Sequence, residues 1–372
     1  MKGSVARTLA IALAAALVGA LFGLYVLGSK RGKVKPPAPA VATAPAPPAD
    51  LRVVIQIASA FPTAVPQLGT LATALDDRLG RLTNGAIEIK LHEPGALMPR
   101  DQVFDAIAAN NLDAAWGSPS LWQDKDSAFA LFGAVPFGPA STELLAWLFN
   151  GGGKELQQEL YGQYGIVSIP CGMAAARAGG WFRKEVRSPD DFKGLRIRSG
   201  GLGARVLGKL GAEVQMLNGG EIFLHLQAGK IDAAEFSQPA IDQNYGFERL
   251  LKQYYFPGWQ QQSLLLDLIM SQSKWSELSE QQRATIEIAC GDNIRDGLAQ
   301  GAVAQPPALR DFESKGVVLR RFPPKVLAAL NRAWAEVAAE EAEKNPAFAK
   351  VWESYTAFRA SYASWKTLHT LD

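Results

Sequence analysis

Short apolar segments with strand character alternate with segments of helical apolar spacing along the first part of this chain. Residues 53–57 are rich in β-branched side chains, and residues 87–91 alternate between apolar and polar positions as half-buried strands do. Residues 68–82 and 103–109 repeat their apolar side chains at the spacing of a helix, and residues 112–116 return to strand character. Strands that alternate with helices predict an α/β layer built around a mostly parallel sheet.

The same alternation begins again after Gly179, which predicts a second unit of the same kind. Roughly 320 residues follow the first fifty, more than a single typical core holds, so the two units are expected to be two lobes. The last part of the chain has mainly helical patterns. The expected strands here are residues 181–182, 195–197 and 231–236, and the expected helices are residues 202–210, 221–228, 280–298, 303–315, 325–345 and 347–365.

The first fifty residues differ from the rest. Lys2 and Arg7 precede an uncharged run, residues 8–29, that is long enough to span a bilayer core. A cleaved signal peptide has a shorter apolar stretch and a small-residue cleavage site, whereas basic residues follow here. We therefore expect residues 1–29 to be an uncleaved signal anchor and residues 30–50 to be an extended Pro/Ala-rich linker. The basic residues after the run favour a cytoplasmic body, but long domains are translocated largely regardless of nearby charge.

The composition excludes several classes of function. The 38 Lys and Arg residues balance 36 Asp and Glu residues, which argues against a nucleic-acid-binding protein. Three histidines and two cysteines leave little material for a zinc site. No histidine lies in a nucleophile–base motif, and the glycine clusters at residues 151–153 and 200–203 lack the Lys-Ser/Thr of a P-loop. The sequence therefore predicts a protein that is not an enzyme.

Cys171 and Cys290 are the two cysteines of the chain. An exported protein lies in an oxidising compartment where a disulfide can form. Spacing along the sequence does not establish that two cysteines are close in space. We expect two separate buried thiols, one at the entry to the second lobe and one on a carboxy-terminal helix.

Several motifs make the chain recognisable when they are taken in order. They are Gly-Gly-Trp-Phe at residues 179–182, Ser-Pro-Asp-Asp-Phe-Lys-Gly-Leu-Arg-Ile-Arg at 188–198, Gly-Gly-Glu-Ile-Phe at 219–223, Leu-Gln-Ala-Gly-Lys-Ile-Asp-Ala-Ala-Glu at 226–235 and Tyr-Phe-Pro-Gly-Trp at 255–259. Together these motifs resemble the solute-binding protein of tripartite ATP-independent periplasmic (TRAP) transporters, particularly the branch that binds keto acids and related carboxylates. The resemblance runs from about residue 53 to residue 365, nearly the whole body.

This resemblance implies an α/β fold of the type II periplasmic-binding-protein kind, in which two lobes close over a ligand cleft and a helical region follows. The expected division is lobe I at residues 51–173, lobe II at 174–261, and a return to lobe I with the carboxy-terminal helices at 262–372. The implied function is capture of a small organic acid anion in the periplasm and its delivery to TRAP permease subunits in the membrane. The alternative is a membrane-tethered ligand sensor or envelope interaction module that retains the binding fold, because a signal anchor and spacer would hold it at one membrane site.

The resemblance also assigns the candidate site. Arg198 occupies the family position that grips the ligand carboxylate, a role suited to the two-point donor geometry of a guanidinium. Arg196, two residues earlier, would share its face of a strand. Arg177 stands where keto-acid-binding relatives usually have a glutamine that helps to hold a metal ion. The Glu of the family motif is retained as Glu235, followed by Phe236 in place of a tryptophan.

The relatives carry a further acid just after Pro-Gly-Trp, but this chain has Gln260 and Gln261 there. A hard cation prefers carboxylate oxygens, and this sequence has gained a fixed positive charge and lost an anion at the proposed location. We therefore expect the Arg177 guanidinium to substitute for the metal, so that no metal cofactor is needed. The alternative is that Arg177 points to solvent and that Glu235 still contributes to a metal site.

Phe236, Phe61 and Gln261 complete the expected ligand site, since binding pockets combine apolar walls with a few polar groups. Further candidates for the cleft wall are Trp116, Trp122, Trp181 and Trp259, of which Trp181 is expected to be structural. The segment 325–345 would serve equally well as a dimer interface or as a cap on the lobes. A dimer therefore stays one option.

Overall fold

The computed structural model describes residues 52–369. The predicted signal anchor at residues 1–29 and the linker at residues 30–50 lie outside the described residues. Within residues 52–369, no helix combines the length and the apolar character needed to cross a bilayer.

Two mixed β-sheets form the framework. The first sheet has the strand order β2-β1-β3-β10-β4, in which β1 is parallel to β2 and β3, and β10 is antiparallel to β3 and β4. The second has the order β11-β9-β5-β8-β6-β7. The strands are β1 (Val53–Ser59), β2 (Ile87–His92), β3 (Ala114–Gly117), β4 (Ile166–Ala174), β5 (Gly180–Phe182), β6 (Arg196–Arg198), β7 (Glu213–Gln215), β8 (Ala233–Ala234), β9 (Gln253–Phe256), β10 (Leu264–Ser271) and β11 (Val318–Arg321).

Helices cover both sheets, so the α/β prediction is confirmed. The α-helices are α1 (Thr70–Leu82), α2 (Arg100–Ala108), α3 (Ala130–Gly133), α4 (Ser141–Asn150), α5 (Gly153–Gly162), α6 (Gly201–Lys209), α7 (Gly219–Gln227), α8 (Pro239–Asp242), α9 (Gln272–Glu277), α10 (Glu280–Ser314), α11 (Pro324–Lys344) and α12 (Pro346–His369). Short 3-10 turns lie at Pro119–Trp122, Ser127–Phe129, Pro189–Phe192 and Phe247–Arg249.

The expectation of two separate helices at residues 280–298 and 303–315 is wrong, because α10 runs through both without a break. Pro306 and Pro307 lie inside this helix and lack the N–H groups that would bond to the carbonyls four residues earlier. Those carbonyls belong to Ala302 and Val303, which are exposed residues where water can supply the missing hydrogen bonds.

The chain passes between the two sheets three times within the described residues. It leaves the first sheet between β4 and β5, returns between β9 and β10, and passes back to the second sheet through α10 before reaching β11. The strand β11 thus belongs to the second sheet, although it lies in the segment 262–372 that was expected to return to lobe I. The first two crossings carry Arg177 and Gln261, and this brings them to the boundary between the lobes.

The expectation of two free thiols is also wrong, because Cys171 and Cys290 form a disulfide. Cys171 lies on β4 and Cys290 on α10, which packs along that strand. The side-chain nitrogen of Asn293, one turn further along α10, donates to the Cys171 carbonyl at 2.8 Å. The helix is therefore held against the strand that carries the other cysteine, a contact between elements that are 119 residues apart.

Candidate functional site

A cleft of about 590 Å³ opens between the two sheets. Its volume lies within the range of small-molecule sites. Side chains from the loops of both sheets line it, with apolar groups on the first lobe and most of the polar groups on the second. The six residues expected to form the ligand site all line this one cleft: Phe61, Arg177, Arg198, Glu235, Phe236 and Gln261.

The ends of parallel strands bring four of these residues together. Phe61 follows β1, and Arg198 is the last residue of β6. Glu235 and Phe236 directly follow β8, which is the parallel neighbour of β6. The backbone N–H of Glu235 donates to the Arg198 carbonyl at 2.9 Å, so the ladder itself sets these side chains side by side. Ligands of open α/β sheets bind at such carboxyl ends of strands.

The other two residues, Arg177 and Gln261, lie on the segments where the chain crosses between the sheets. The backbone N–H of Arg177 donates to the carbonyl of Gln261 at 3.1 Å. Gly258 makes this approach possible, because a Cβ there would lie 2.0 Å from the Arg177 carbonyl oxygen. The side-chain nitrogen of Gln261 is buried and has no hydrogen-bond partner within residues 52–369. Gln261 thus contributes an unsatisfied donor beside the cleft that it lines.

Arg198 is held rigidly. Its Nη1 donates to the Glu235 carbonyl at 2.7 Å and its Nε donates to the Leu217 carbonyl at 3.1 Å. The guanidinium carbon lies 5.3 Å from the centre of the Phe236 ring, a cation–π distance. Burial lowers the pKa of Arg198 from its ordinary value, and the nearby Glu235 carboxylate opposes that shift. A buried cation with spare donors is a site for an anion.

Arg177 and Glu235 form an ion pair inside the cleft. Arg177 Nη1 lies 2.8 Å from Glu235 Oε1, and the Glu235 side chain is only 4% exposed. The other carboxylate oxygen, Oε2, accepts from Ser199 Oγ at 3.4 Å and lies 3.7 Å from Arg198 Nη1. Both oxygens of Glu235 are therefore occupied by side chains of the protein.

Arg196 does not line the cleft, although it lies on the same strand as Arg198. Its Nε lies 2.8 Å and its Nη2 2.9 Å from the two carboxylate oxygens of Asp232. This two-point ion pair with Asp232 neutralises the positive charge of Arg196. Of the two arginines of β6, only Arg198 faces the proposed ligand site.

Asp242 is a buried carboxyl group close behind the ion pair. Its Oδ2 accepts from Trp181 Nε1 at 2.9 Å and from Tyr254 Oη at 2.8 Å, while its buried Oδ1 has no partner among the described side chains. Burial raises the pKa of Asp242 to about 7, and the two donors counteract part of that effect. The sequence carried no motif that pointed to this residue.

Helix starts add positive potential to the cleft. The first residues of α6 and α7, Gly201 and Gly219, line it together with the residues that precede them, Gly200 and Asn218. The N-terminus of a helix carries partial positive charge and attracts anions. The backbone N–H of Asn218 donates to the Glu221 carboxylate at 2.8 Å, which caps the start of α7.

Arg100 and Tyr245 are cleft residues that sequence reasoning missed. Arg100 is the first residue of α2 and belongs to the first lobe, whereas Tyr245 packs its ring 4.4 Å from that of Phe236. Arg100 follows the loop after a predicted strand, the kind of position where binding residues gather. That location was the one signal in the sequence that could have identified it.

The four tryptophans proposed as candidate walls are core residues and do not line the cleft. The expectation that Trp181 is structural agrees with its stacking on Tyr254 at 3.9 Å between ring centres. Trp116 is 1% exposed and donates to a backbone carbonyl from its ring nitrogen. Large aromatic side chains most often serve as core, as they do here.

The cleft offers few carboxylate ligands for a hard cation. Calcium takes six to eight oxygen ligands, preferably carboxylates. Glu235 is the single carboxylate among the described lining residues, and Arg177 already holds one of its oxygens. Nor do residues 52–369 contain any group of three or more His, Cys, Asp or Glu side chains that could hold a metal ion.

A two-lobed α/β framework with an anion-attracting cleft between the lobes defines a ligand-binding protein of the periplasmic type. Residues 57–345 match the model of a protein family described as bacterial extracellular solute-binding protein, family 7 (DctP). The chain belongs to this family. The prediction that it is a TRAP solute-binding protein and not an enzyme is confirmed.

Relatives and solved structures agree with this assignment. The chain is 33% identical to a monocarboxylate 2-oxoacid-binding periplasmic protein of Nostoc sp. over 82% of this chain and 84% of that one. A TRAP solute-binding protein from Bordetella bronchiseptica, with copurified calcium and picolinate bound, has a TM-score of 0.82 and 32% identity over 86% of this chain and 95% of that one. One from Colwellia psychrerythraea, with calcium and pyruvate bound, has a TM-score of 0.80 and 28% identity over 86% of this chain and 97% of that one.

Proposed function

We propose that this protein captures a small 2-oxo acid anion without a metal ion. Arg198 holds the ligand carboxylate, and the Arg177 guanidinium supplies the positive charge that a cation supplies in relatives. Phe236 and Phe61 form apolar walls, and Gln261 donates from its unpartnered nitrogen. The ion pair between Arg177 and Glu235 is the observation that carries the proposal, because it combines the substituted residue with the retained acid.

The relatives support the ligand class. A 2-oxo acid is named for the Nostoc protein, and pyruvate accompanies calcium in the Colwellia structure. In such a site the cation would interact with the carbonyl and carboxylate oxygens of the ligand. A guanidinium can donate to the same kinds of oxygen in a planar, two-point arrangement. Arg177 has two nitrogens, Nε and Nη2, that bond to no described residue, so it can hold Glu235 and still reach a ligand.

A thermal-shift screen of organic acids with Arg198 variants tests the proposal. A ligand at 100 times its dissociation constant should stabilise the wild-type protein by about 2.7 kcal/mol. Arg198→Ala should weaken binding by about 2–5 kcal/mol, since a buried charge pair loses one partner, and should therefore reduce the stabilisation by the same ligand concentration to about 1 kcal/mol or less. Arg198→Lys should restore part of it, because a lysine keeps the charge but loses the planar fork.

Arg196→Ala is the matched control, since it removes an arginine of the same strand that is paired outside the cleft. The shift should survive in this variant. If Arg198→Ala binds as well as the wild-type protein, the carboxylate is anchored elsewhere. If no 2-oxo acid shifts the wild-type protein, the proposed ligand class is wrong.

Membrane tethering and permease partnering are further parts of the proposal. The family places the protein outside the cytoplasm. An apolar run at residues 8–29 followed by a Pro/Ala-rich spacer would keep the binding lobes close to a permease and raise their effective concentration there. Membrane fractionation of the full chain and of a chain lacking residues 8–29 should find only the full chain in the membrane. A soluble full chain would mean that the leader is cleaved.

Loss of ligand uptake in a deletion strain would favour transport over the sensor alternative.

A further inference from the structure

The charges that line the cleft do not balance for a ligand with a single negative charge. Within the described part of the chain, the charged lining residues are Arg100, Arg177, Arg198 and Glu235. Three positive side chains and one negative side chain leave an excess of two positive charges. A monocarboxylate would neutralise one of them, whereas a dicarboxylate would neutralise both.

The excess charge is divided between the lobes. Arg177 and Arg198 belong to the second lobe and its crossing segment, and both contact Glu235. Arg100 stands on the first lobe, where α2 begins after the loop that follows β2. Because β2 is parallel to β1, this loop emerges at the same edge of the sheet as the loop that carries Phe61. Arg100 is thus the first lobe's only charged contribution to the cleft among residues 52–369.

Arg100 is held by no other side chain. It is exposed, and the described residues include no carboxylate within ion-pair distance of it and no hydrogen-bond partner for its guanidinium. The neighbouring polar groups of the first lobe that line the cleft are neutral, namely Ser120 and Gln123. An arginine that faces a cleft and has no internal partner is available to an anion from the solvent.

We infer that the ligand is a 2-oxo acid with a second carboxylate, which Arg100 binds from the first lobe while Arg198 binds the first carboxylate from the second. This inference rests on the proposed function. A ligand that bridges the two lobes interacts more strongly with the closed arrangement than with the open one. That difference is what drives closure. The cleft of about 590 Å³ has room for the longer acid.

Calorimetric titration of three acids into the metal-chelated wild-type protein tests the inference. The probes are pyruvate, oxaloacetate and 2-oxoglutarate, which share the 2-oxo acid group and differ in the second carboxylate and in length. Whichever of oxaloacetate and 2-oxoglutarate binds more tightly should have an affinity at least about tenfold higher than that of pyruvate. The reason is the additional charge-assisted contact with Arg100, which should contribute at least a tenfold gain in affinity.

Arg100→Gln should lower the affinity for that dicarboxylate to the affinity for pyruvate. The affinity of the variant for pyruvate should stay within about twofold of the wild-type value. Arg310→Gln is the matched control, because it removes the same charge from an exposed position on α10 outside the cleft. Its affinities should equal those of the wild-type protein. Circular dichroism of both variants checks that they are folded.

Equal wild-type affinities for pyruvate and both dicarboxylates would overturn the inference. So would a loss of affinity in Arg100→Gln that is the same for all three acids, because that pattern describes general attraction of anions. Both results leave the proposed function intact, since a 2-oxo acid still binds. Failure of every 2-oxo acid to bind the wild-type protein would instead contradict the proposed function itself.

Discussion

At the scale of single residues, the cleft is organised around Glu235, which is touched by two arginines and a serine. A buried carboxylate is costly unless it is paired and hydrogen-bonded, and here it is both. Glu235 also holds one nitrogen of the Arg177 guanidinium, Nη1, and this contact limits the orientations that the group can adopt in the cleft. In the proposed site, Glu235 would orient the Arg177 guanidinium with which it is paired.

Asp242 should make the stability of the protein depend on pH. Burial raises its pKa to about 7, above the usual value of 3.8, so the folded state keeps a proton that the unfolded state releases. The stabilisation from this proton is complete below the unfolded pKa and is lost as the pH rises through the folded pKa. The free energy of unfolding should therefore fall between about pH 4 and about pH 7 through this group.

Asp242→Asn removes the titration, and urea unfolding at about pH 4.5 and about pH 7.5 should show a smaller fall in the variant. The buried Asp267, whose pKa is raised to about 6 by burial, should preserve part of the slope. Asp267→Asn serves as the comparison, because its effect should be confined to the lower part of that range. An identical slope in wild type and Asp242→Asn would show that Asp242 stays charged in the folded protein.

At the scale of elements, the disulfide joins the edge strand β4 to the long helix α10. It closes a loop that includes the whole second crossing of the chain. A cross-link over a separation of 119 residues restricts the unfolded chain strongly. The two cysteines are fully buried and lie outside the cleft lining, so their effect is on stability.

Replacing both cysteines, as Cys171→Ala with Cys290→Ala, should lower the free energy of unfolding by about 3–5 kcal/mol. Chemical denaturation of the variant and of the wild-type protein measures this. Ligand affinity should stay unchanged when the variant is folded. A loss of affinity without a loss of stability would mean that the disulfide positions the cleft instead.

The elements that the sequence predicted well are those with a clear period. The amphipathic pattern of residues 68–82 corresponds to α1, and the alternating residues 87–91 correspond to β2. Strand β10 is buried on both faces, so its mainly apolar sequence, which also contains the buried Asp267, lacks the alternation that identifies a half-buried strand. The expected break between residues 298 and 303 is absent from α10, and the two prolines of this helix, Pro306 and Pro307, lie inside the second expected segment.

The candidate site was predictable where a family motif reached it. Arg198, Glu235 and Phe236 lie within motifs, and Arg177 was noticed because it departs from one. Arg100 was missed because it comes from a loop on the other lobe, where no motif applies. The disulfide was missed for a related reason, since contacts between distant elements depend on packing that the order of residues does not reveal.

At the scale of the whole molecule, the two lobes meet where the chain crosses between the sheets. Two crossing segments contribute Arg177 and Gln261 directly to the cleft. Movement of one lobe against the other would therefore act on the ligand-binding groups themselves. A ligand shifts such an equilibrium only by preferring one arrangement, and an anion bound by arginines of both lobes would have that preference.

In the proposed site, the Arg177 guanidinium takes the place of a metal ion. Elemental analysis of the purified protein, combined with calorimetric titration of the best 2-oxo acid from the screen with chelator and with added calcium, tests this claim. We predict less than stoichiometric metal and a ligand affinity that changes by no more than about twofold between the two conditions. A tightly held cation at one per chain, with ligand binding lost on chelation, would contradict the claim.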